Sequence, residues 1–337
     1  MSILWNKRTA GNQEQVPVET TEQTSGERSK HVWAVGGGKG GVGKTLIAAN
    51  LGIMLSREAG KRVILVDLDL GGANLHTCIG IDLPKFTLSD FVQRDVDNLE
   101  ELVVETPIKN LGLISGAQDF LDIANIKHSQ KQRFLTHLKN LDADYIILDL
   151  GAGTTFNTLD FFLASDLGII TLVPEPTSIE NVYRFIKSAF YRRLKTIEST
   201  LKIKQLIDEI MHKRVENNVN TPADLLTQID AMDPVIGQKV RAEMQLFSPK
   251  LIINMVRSQT DVELGHAVSS VCKKYFGIDV ELLGYIEYDN LVWQSVRKKA
   301  PILLEFPNSK LVSNFNRIYK KLLNPTIKFV DDVTERL

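Results

Sequence analysis

One eight-residue run constrains the fold of this chain more than any other segment: Gly38-Lys39-Gly40-Gly41-Val42-Gly43-Lys44-Thr45. It fits the pattern G-x-x-x-x-G-K-[ST], in which glycines let backbone N–H groups crowd an anionic phosphate. Lys44 can reach the outer phosphates of a nucleotide, and the Thr45 hydroxyl can ligate Mg²⁺. Such a loop needs a strand before it and a helix after it. His31 to Val35 (HVWAV) reads as a short buried strand, and LIAANLGIMLS after Thr45 carries apolar residues at helical spacing. Lys39 is an extra cation in the loop, aimed at or past a bound nucleotide.

The same rhythm continues along the chain. RVILV at 62–66, Leu111 to Ser115, Asp144 to Leu148, Leu167 to Val173, Leu251 to Asn254 and Val280 to Gly284 read as strands of buried type. Helical segments lie between them, near Leu88 to Arg94, Gln130 to Leu141 and from Ser178, a candidate N-cap, towards Lys195. Continuous apolar strands alternating with helices predict an α/β fold with a doubly wound, mostly parallel sheet flanked by helices. The block from about 196 to 249 contains no strand pattern, and Thr221-Pro222 reads as N-cap and first turn of one of its helices. It is expected to be a helical insertion within a nucleotide-binding domain spanning 31–324. Residues 1–30 read as a disordered lead-in and 325–337 as a C-terminal tail.

Composition narrows the function classes. A chain of 337 residues with net charge −1 offers no global attraction for nucleic acid or anionic lipid. Its two cysteines, Cys78 and Cys272, are far apart. They suit a reducing compartment and argue against an iron–sulfur or zinc site. No apolar run approaches the roughly 20 residues of a membrane span, and the N-terminus lacks a signal pattern, so a cytoplasmic protein is expected.

Three carboxylates complete the candidate site. Asp149 follows the strand YIIL and suits a metal-shell acid, while Asp67 and Asp69 close another strand and, two residues apart, face one way. KGGVGKT, VDLDLGGANLH and IILDLGAG, in this order, resemble the deviant Walker A ATPases of the MinD/ParA class. TLVPEPTSIENVYRFIK and NMVRS resemble the flagellar-site regulators FlhG and FleN within that class. The likeness covers about Val32 to Leu323, apart from the insertion.

The resemblance implies ATP and Mg²⁺ as ligands and a homodimer closed by ATP. It implies that Lys39 reaches across that dimer to the partner's phosphates, beside Lys44 in its own loop, and that Asp69 positions the hydrolytic water. Gly38 through Gly43, with Lys44, Thr45 and Leu46, would cradle the nucleotide, with Thr45, Asp67 and Asp149 around the metal. Asn74 falls in the first switch, Asn254 at the adenine, and Glu287 and Asp289 in a base-lining loop, Glu287 replacing a usual proline. An asparagine at a strand end has donor and acceptor for an adenine edge. An activating protein partner and a peripheral membrane contact are further implications. Here the glutamine motif of FlhG-type N-termini is missing from residues 1–30, and the face of Leu311, Phe315, Ile318 and Leu322 reads as a packed helix rather than a membrane anchor. The competing reading is a ParA-like DNA-segregation ATPase that binds DNA non-specifically through Arg192, Arg193, Lys195, Lys202 and Lys204, or through Arg297, Lys298 and Lys299.

Overall fold

Alternate residues of each central strand are apolar on both faces, and the sheet is covered on both sides accordingly. The computed structural model describes residues 30–69, 72–116 and 126–324. The expected lead-in before residue 30, residues 70–71 and the expected tail from residue 325 lie outside the described residues.

Eight strands form one sheet: β1 (His31–Gly36), β2 (Val63–Leu68), β3 (Val104–Glu105), β4 (Leu111–Ile114), β5 (Tyr145–Leu150), β6 (Leu167–Leu172), β7 (Lys250–Val256) and β8 (Glu281–Glu287). Their order is β3-β4-β2-β5-β1-β6-β7-β8, and every pairing is parallel except β3 with β4. The doubly wound α/β fold expected from the sequence is therefore present. The two-residue edge strand β3 has no sequence signature, because it is too short for alternation to register.

The helices are α1 (Lys44–Arg57), α2 (Leu75–Ile79), α3 (Leu88–Gln93), α4 (His128–Asn140), α5 (Phe156–Ala164), α6 (Pro176–Leu201), α7 (Lys204–His212), α8 (Pro222–Met232), α9 (Pro234–Gln245), α10 (Gln259–Phe276), α11 (Leu291–Lys298), α12 (Ile302–Glu305) and α13 (Lys310–Leu323). Trp33, Val35, Leu65 and Ile147 point to the face covered by α1, α2, α12 and α13. Ala34, Val66, Ile146 and Leu148 point to the opposite face, covered by α3 to α10.

Three local features bear on the sequence reading. Thr221 caps α8 with a full capping box, with Pro222 in the first turn. Ser178 is not a cap: Pro176, with its fixed φ, starts α6 earlier, and the buried Ser178 hydroxyl accepts from Val173 N instead. Helix α6 runs without a break through Thr196 to Leu201, and α7 to α9 share its core through Ile207, Leu225, Ile229 and Val240. Leu311, Phe315 and Ile318 are fully buried, so the apolar face of α13 lies against the sheet and α1.

Candidate active site

Parallel strands deliver their ends to one edge, and every predicted site residue sits at that edge. The loop after β1 turns through Gly41 at φ 76° and Gly43 at φ 92°, left-handed values that glycine adopts without strain. Gly43 is also the N-cap of α1, so the amides at the start of that helix face the loop. A Cβ on Gly38 would fall 2.2 Å from the Asn181 carbonyl oxygen, which explains a glycine there.

The cleft beside this loop has a volume of about 510 Å³. Gly40, Gly41, Gly43, Lys44, Thr45, Leu46, Asp69, Asn254, Glu287 and Asp289 line it, bringing together most of the residues singled out in the sequence. Lys39 is not among the lining residues. Its ammonium turns outward, donating to Glu175 Oε2 at 2.8 Å and to Thr177 Oγ1 at 3.1 Å, on the turn leading into α6. Lys44 by contrast is buried, its Nζ 3.5 Å from the Lys39 carbonyl oxygen. Burial lowers the Lys44 pKa, opposed by the charges of Asp149 and Asp69.

Asp67 and Asp149 are cross-strand neighbours on β2 and β5, both buried beneath the cleft. Asp67 accepts from Asp69 N and from Leu75 N, each at 3.0 Å, and so ties the end of β2 to the start of α2. Burial pushes its carboxyl up to about 6, against the downward pull of those amides. Asp149 is 1% exposed, and neither of its oxygens has a hydrogen-bond partner among the described residues. Burial, then the charge of Asp67, raise its pKa well above the carboxylate range. The Thr45 hydroxyl and then the Lys44 ammonium pull it back down. Buried carboxylate oxygens left unpaired are costly unless a cation completes them. Asp149 beside Thr45 therefore fits a Mg²⁺ shell, whereas Asp67 already accepts from two backbone amides.

The three residues expected near the base all have protein partners. Asn254 donates through Nδ2 to the Val42 carbonyl at 2.9 Å, while its Oδ1 accepts from Met255 N, so its amide anchors the phosphate loop. Glu287 meets Lys310 and Asn314 of α13. Asp289 Oδ1 accepts from Leu291 N at 2.9 Å and starts α11. Sequence reasoning gave no role to Cys78, Met255 and Trp293, which also line the cleft, or to Glu175, whereas Tyr288 lies in the base-lining loop it named. Met255 and Glu175 lie inside the segments NMVRS and TLVPEPTSIENVYRFIK, which carry the resemblance without giving either residue a role. Pro174-Glu175-Pro176 itself reads as a strand end.

The basic clusters weighed for nucleic acid are partly neutralised. Arg192 is paired with Asp160, Arg193 with Glu243 and Lys298 with Glu305. No helix among the described residues is long and apolar enough to cross a membrane.

Residues 30–206 match the AAA domain family. The chain is 30% identical over 255 residues to the septum site-determining protein MinD of Helicobacter pylori, covering 74% of this chain and 91% of that protein. It is 26% identical over 295 residues to the antiactivator FleN of Pseudomonas aeruginosa, covering 86% of this chain and 85% of FleN. Among solved structures, MinD of Pyrococcus horikoshii complexed with Mg-ADP superposes with a TM-score of 0.60 at 22% identity, over 89% of this chain and 100% of that one. A ParA family ATPase from Chlorobium tepidum superposes at 0.56 with 19% identity, over 89% of this chain and 100% of that one. With its phosphate loop and extra lysine after β1 and its aspartates at neighbouring strand ends, the chain belongs to the MinD/ParA class of P-loop ATPases, and FleN is among its relatives.

Proposed function

We propose that the chain is an ATP-hydrolysing switch that closes as a homodimer when ATP is bound and opens after hydrolysis. The observation that carries this reading is the position of Lys39, which lies in the phosphate loop yet is absent from the wall of its own cleft. A cation turned away from its own cleft supports a role at a neighbour's nucleotide once it leaves Glu175. Lys44, buried under the cleft, supplies the positive charge in cis, and the amides of Gly40 to Thr45 cradle the phosphates. Thr45 and Asp149 would hold Mg²⁺, which when bound screens the phosphate charge and steadies the outer phosphates. Asp69, facing the cleft, orients the attacking water. Asp67 accepts from the Asp69 and Leu75 amides, which couples the water-orienting acid to the start of α2.

FleN and MinD are named for restraining an activator and for determining the septum site. By analogy, the dimer here positions a cellular structure, such as a flagellum or a pole, with a protein partner that speeds hydrolysis and a peripheral contact with the membrane surface. Light scattering of the full chain tests the switch. Mass should double with Mg·ATP but not with Mg·ADP, and phosphate release per chain should rise with protein concentration. A chain that stays monomeric with ATP, or hydrolyses at a concentration-independent specific rate, would refute it.

A further inference from the structure

The phosphate end of the cleft is fixed by the loop, but the polar residues expected at the base are occupied. Asn254 holds Val42 and Met255, Glu287 holds α13, and Asp289 holds the start of α11. The rest of the wall at this end is mainly apolar and aromatic, formed by Met255, Tyr288, Val292, Trp293 and Val296, with Asn290 beside them. Trp293 lies on the first turn of α11, directly after the loop that carries Tyr288 and Asp289, and is 61% exposed although it borders the cleft. The Arg297 guanidinium sits 4.7 Å from the centre of its ring system, one turn further along the helix. Tyr288 is more constrained, with Arg257 at 4.0 Å from its ring centre and its hydroxyl donating to Asn290. A large, exposed aromatic face at the mouth of an apolar cleft has an obvious partner in a nucleobase, which loses water on stacking.

We propose that Trp293 covers the nucleobase, stacking on its outer face with Arg297 on the opposite side of the indole. The inference rests on the nucleotide reading above. It makes Trp293 a binding residue for the base half of the substrate, with no part in holding phosphate. It also gives α11 a second role. The C-terminal end of this helix lies against α2 of the first switch, where a Cβ on Gly80 would come 2.6 Å from the Lys299 carbonyl oxygen. A base seated under Trp293 therefore braces the helix that braces the switch.

The test compares Mg·ATP with Mg·tripolyphosphate, which has the phosphates but no base, on the full chain by calorimetry. Trp293→Ala should weaken ATP binding about ten-fold, the usual size of one base–aromatic stack. Tripolyphosphate binding should stay within about two-fold, and Trp293→Phe should keep most of the ATP affinity. Because Trp293 is exposed, neither variant threatens the core. Equal ATP affinity in Trp293→Ala and wild type overturns the proposal, as does a parallel loss of ATP and tripolyphosphate, which would mean that Trp293 acts through the loop. Wild-type protein that binds neither ligand would instead sink the nucleotide reading on which the proposal depends.

Discussion

Lys39 and Glu175 form an ion pair, Nζ to Oε2 at 2.8 Å, with the Thr177 hydroxyl 3.1 Å from the same nitrogen. The pair joins the phosphate loop to the N-terminus of α6 within one chain. In the proposed dimer a lysine that serves the partner must leave this contact first, so the ion pair would oppose closure. Both side chains are well exposed, which keeps the opposition small.

Glu175→Gln should therefore tighten ATP-dependent dimerisation by up to about five-fold, the range of an exposed ion pair. Sedimentation velocity at low and high salt measures it. The gain should shrink as salt rises, since salt already weakens the pair in the wild type. An unchanged dimer constant at low salt would show that Glu175 does not restrain Lys39.

The buried bond from Asn254 to the Val42 carbonyl clamps the phosphate loop from β7. Removing it in Asn254→Ala leaves that carbonyl unpaired and should cost about 1–3 kcal/mol in urea unfolding. Gly43→Ala attacks the same contact from the other side. Its Cβ would stand 2.2 Å from Asn254 Nδ2, at a backbone φ of 92°. This variant should lose nucleotide binding by at least about ten-fold while remaining folded, as read by circular dichroism and calorimetry.

The paired acids predict an inverse relation between stability and function. Asp67 and Asp149 both have pKa values raised by burial, Asp67 to about 6. A carboxyl with a higher pKa folded than unfolded binds more protons in the folded state. Its contribution to stability is present at low pH and is lost as pH rises from the ordinary carboxylate range through about 6. The ligand-free protein should thus lose stability between acid and neutral pH. Asp149→Asn should flatten that loss and raise neutral-pH stability, on the order of 1 kcal/mol, while abolishing the thermal shift produced by Mg·ATP. A destabilised Asp149→Asn would contradict the assignment of Asp149 as an unsatisfied acid that awaits a cation.

Much of this was legible in the sequence. The glycine loop, the buried strands and the three aspartates are local patterns, since a strand end places its residue at the sheet edge whatever the rest of the fold does. Glu287, Asp289 and Asn254 were also assigned to the right edge. What the sequence left hidden was the direction of their side chains, because Asn314, Leu291 and Val42 approach them from elements distant in the chain or from the backbone itself. Trp293 and Glu175 were invisible for the same reason. Each gains meaning only from a neighbour, the cleft for one and Lys39 for the other. The start of α6 was misread because Ser178 offers a hydroxyl at a plausible capping position, while Pro176 decides where the helix begins.

The central claim is that Lys39 acts on the nucleotide of the other protomer. Mixing Lys39→Ala with Asp69→Ala chains tests it most directly. Each variant alone should release phosphate at background rates, the first lacking the lysine and the second the water-orienting acid. In a mixed dimer, the Lys39→Ala protomer keeps its own Asp69 and receives Lys39 from its partner, so one site is whole. The account predicts phosphate release well above the sum of the separate variants, saturating as the mixture approaches equal amounts. Release that never exceeds that sum, with mixed dimers confirmed by mass, would contradict it.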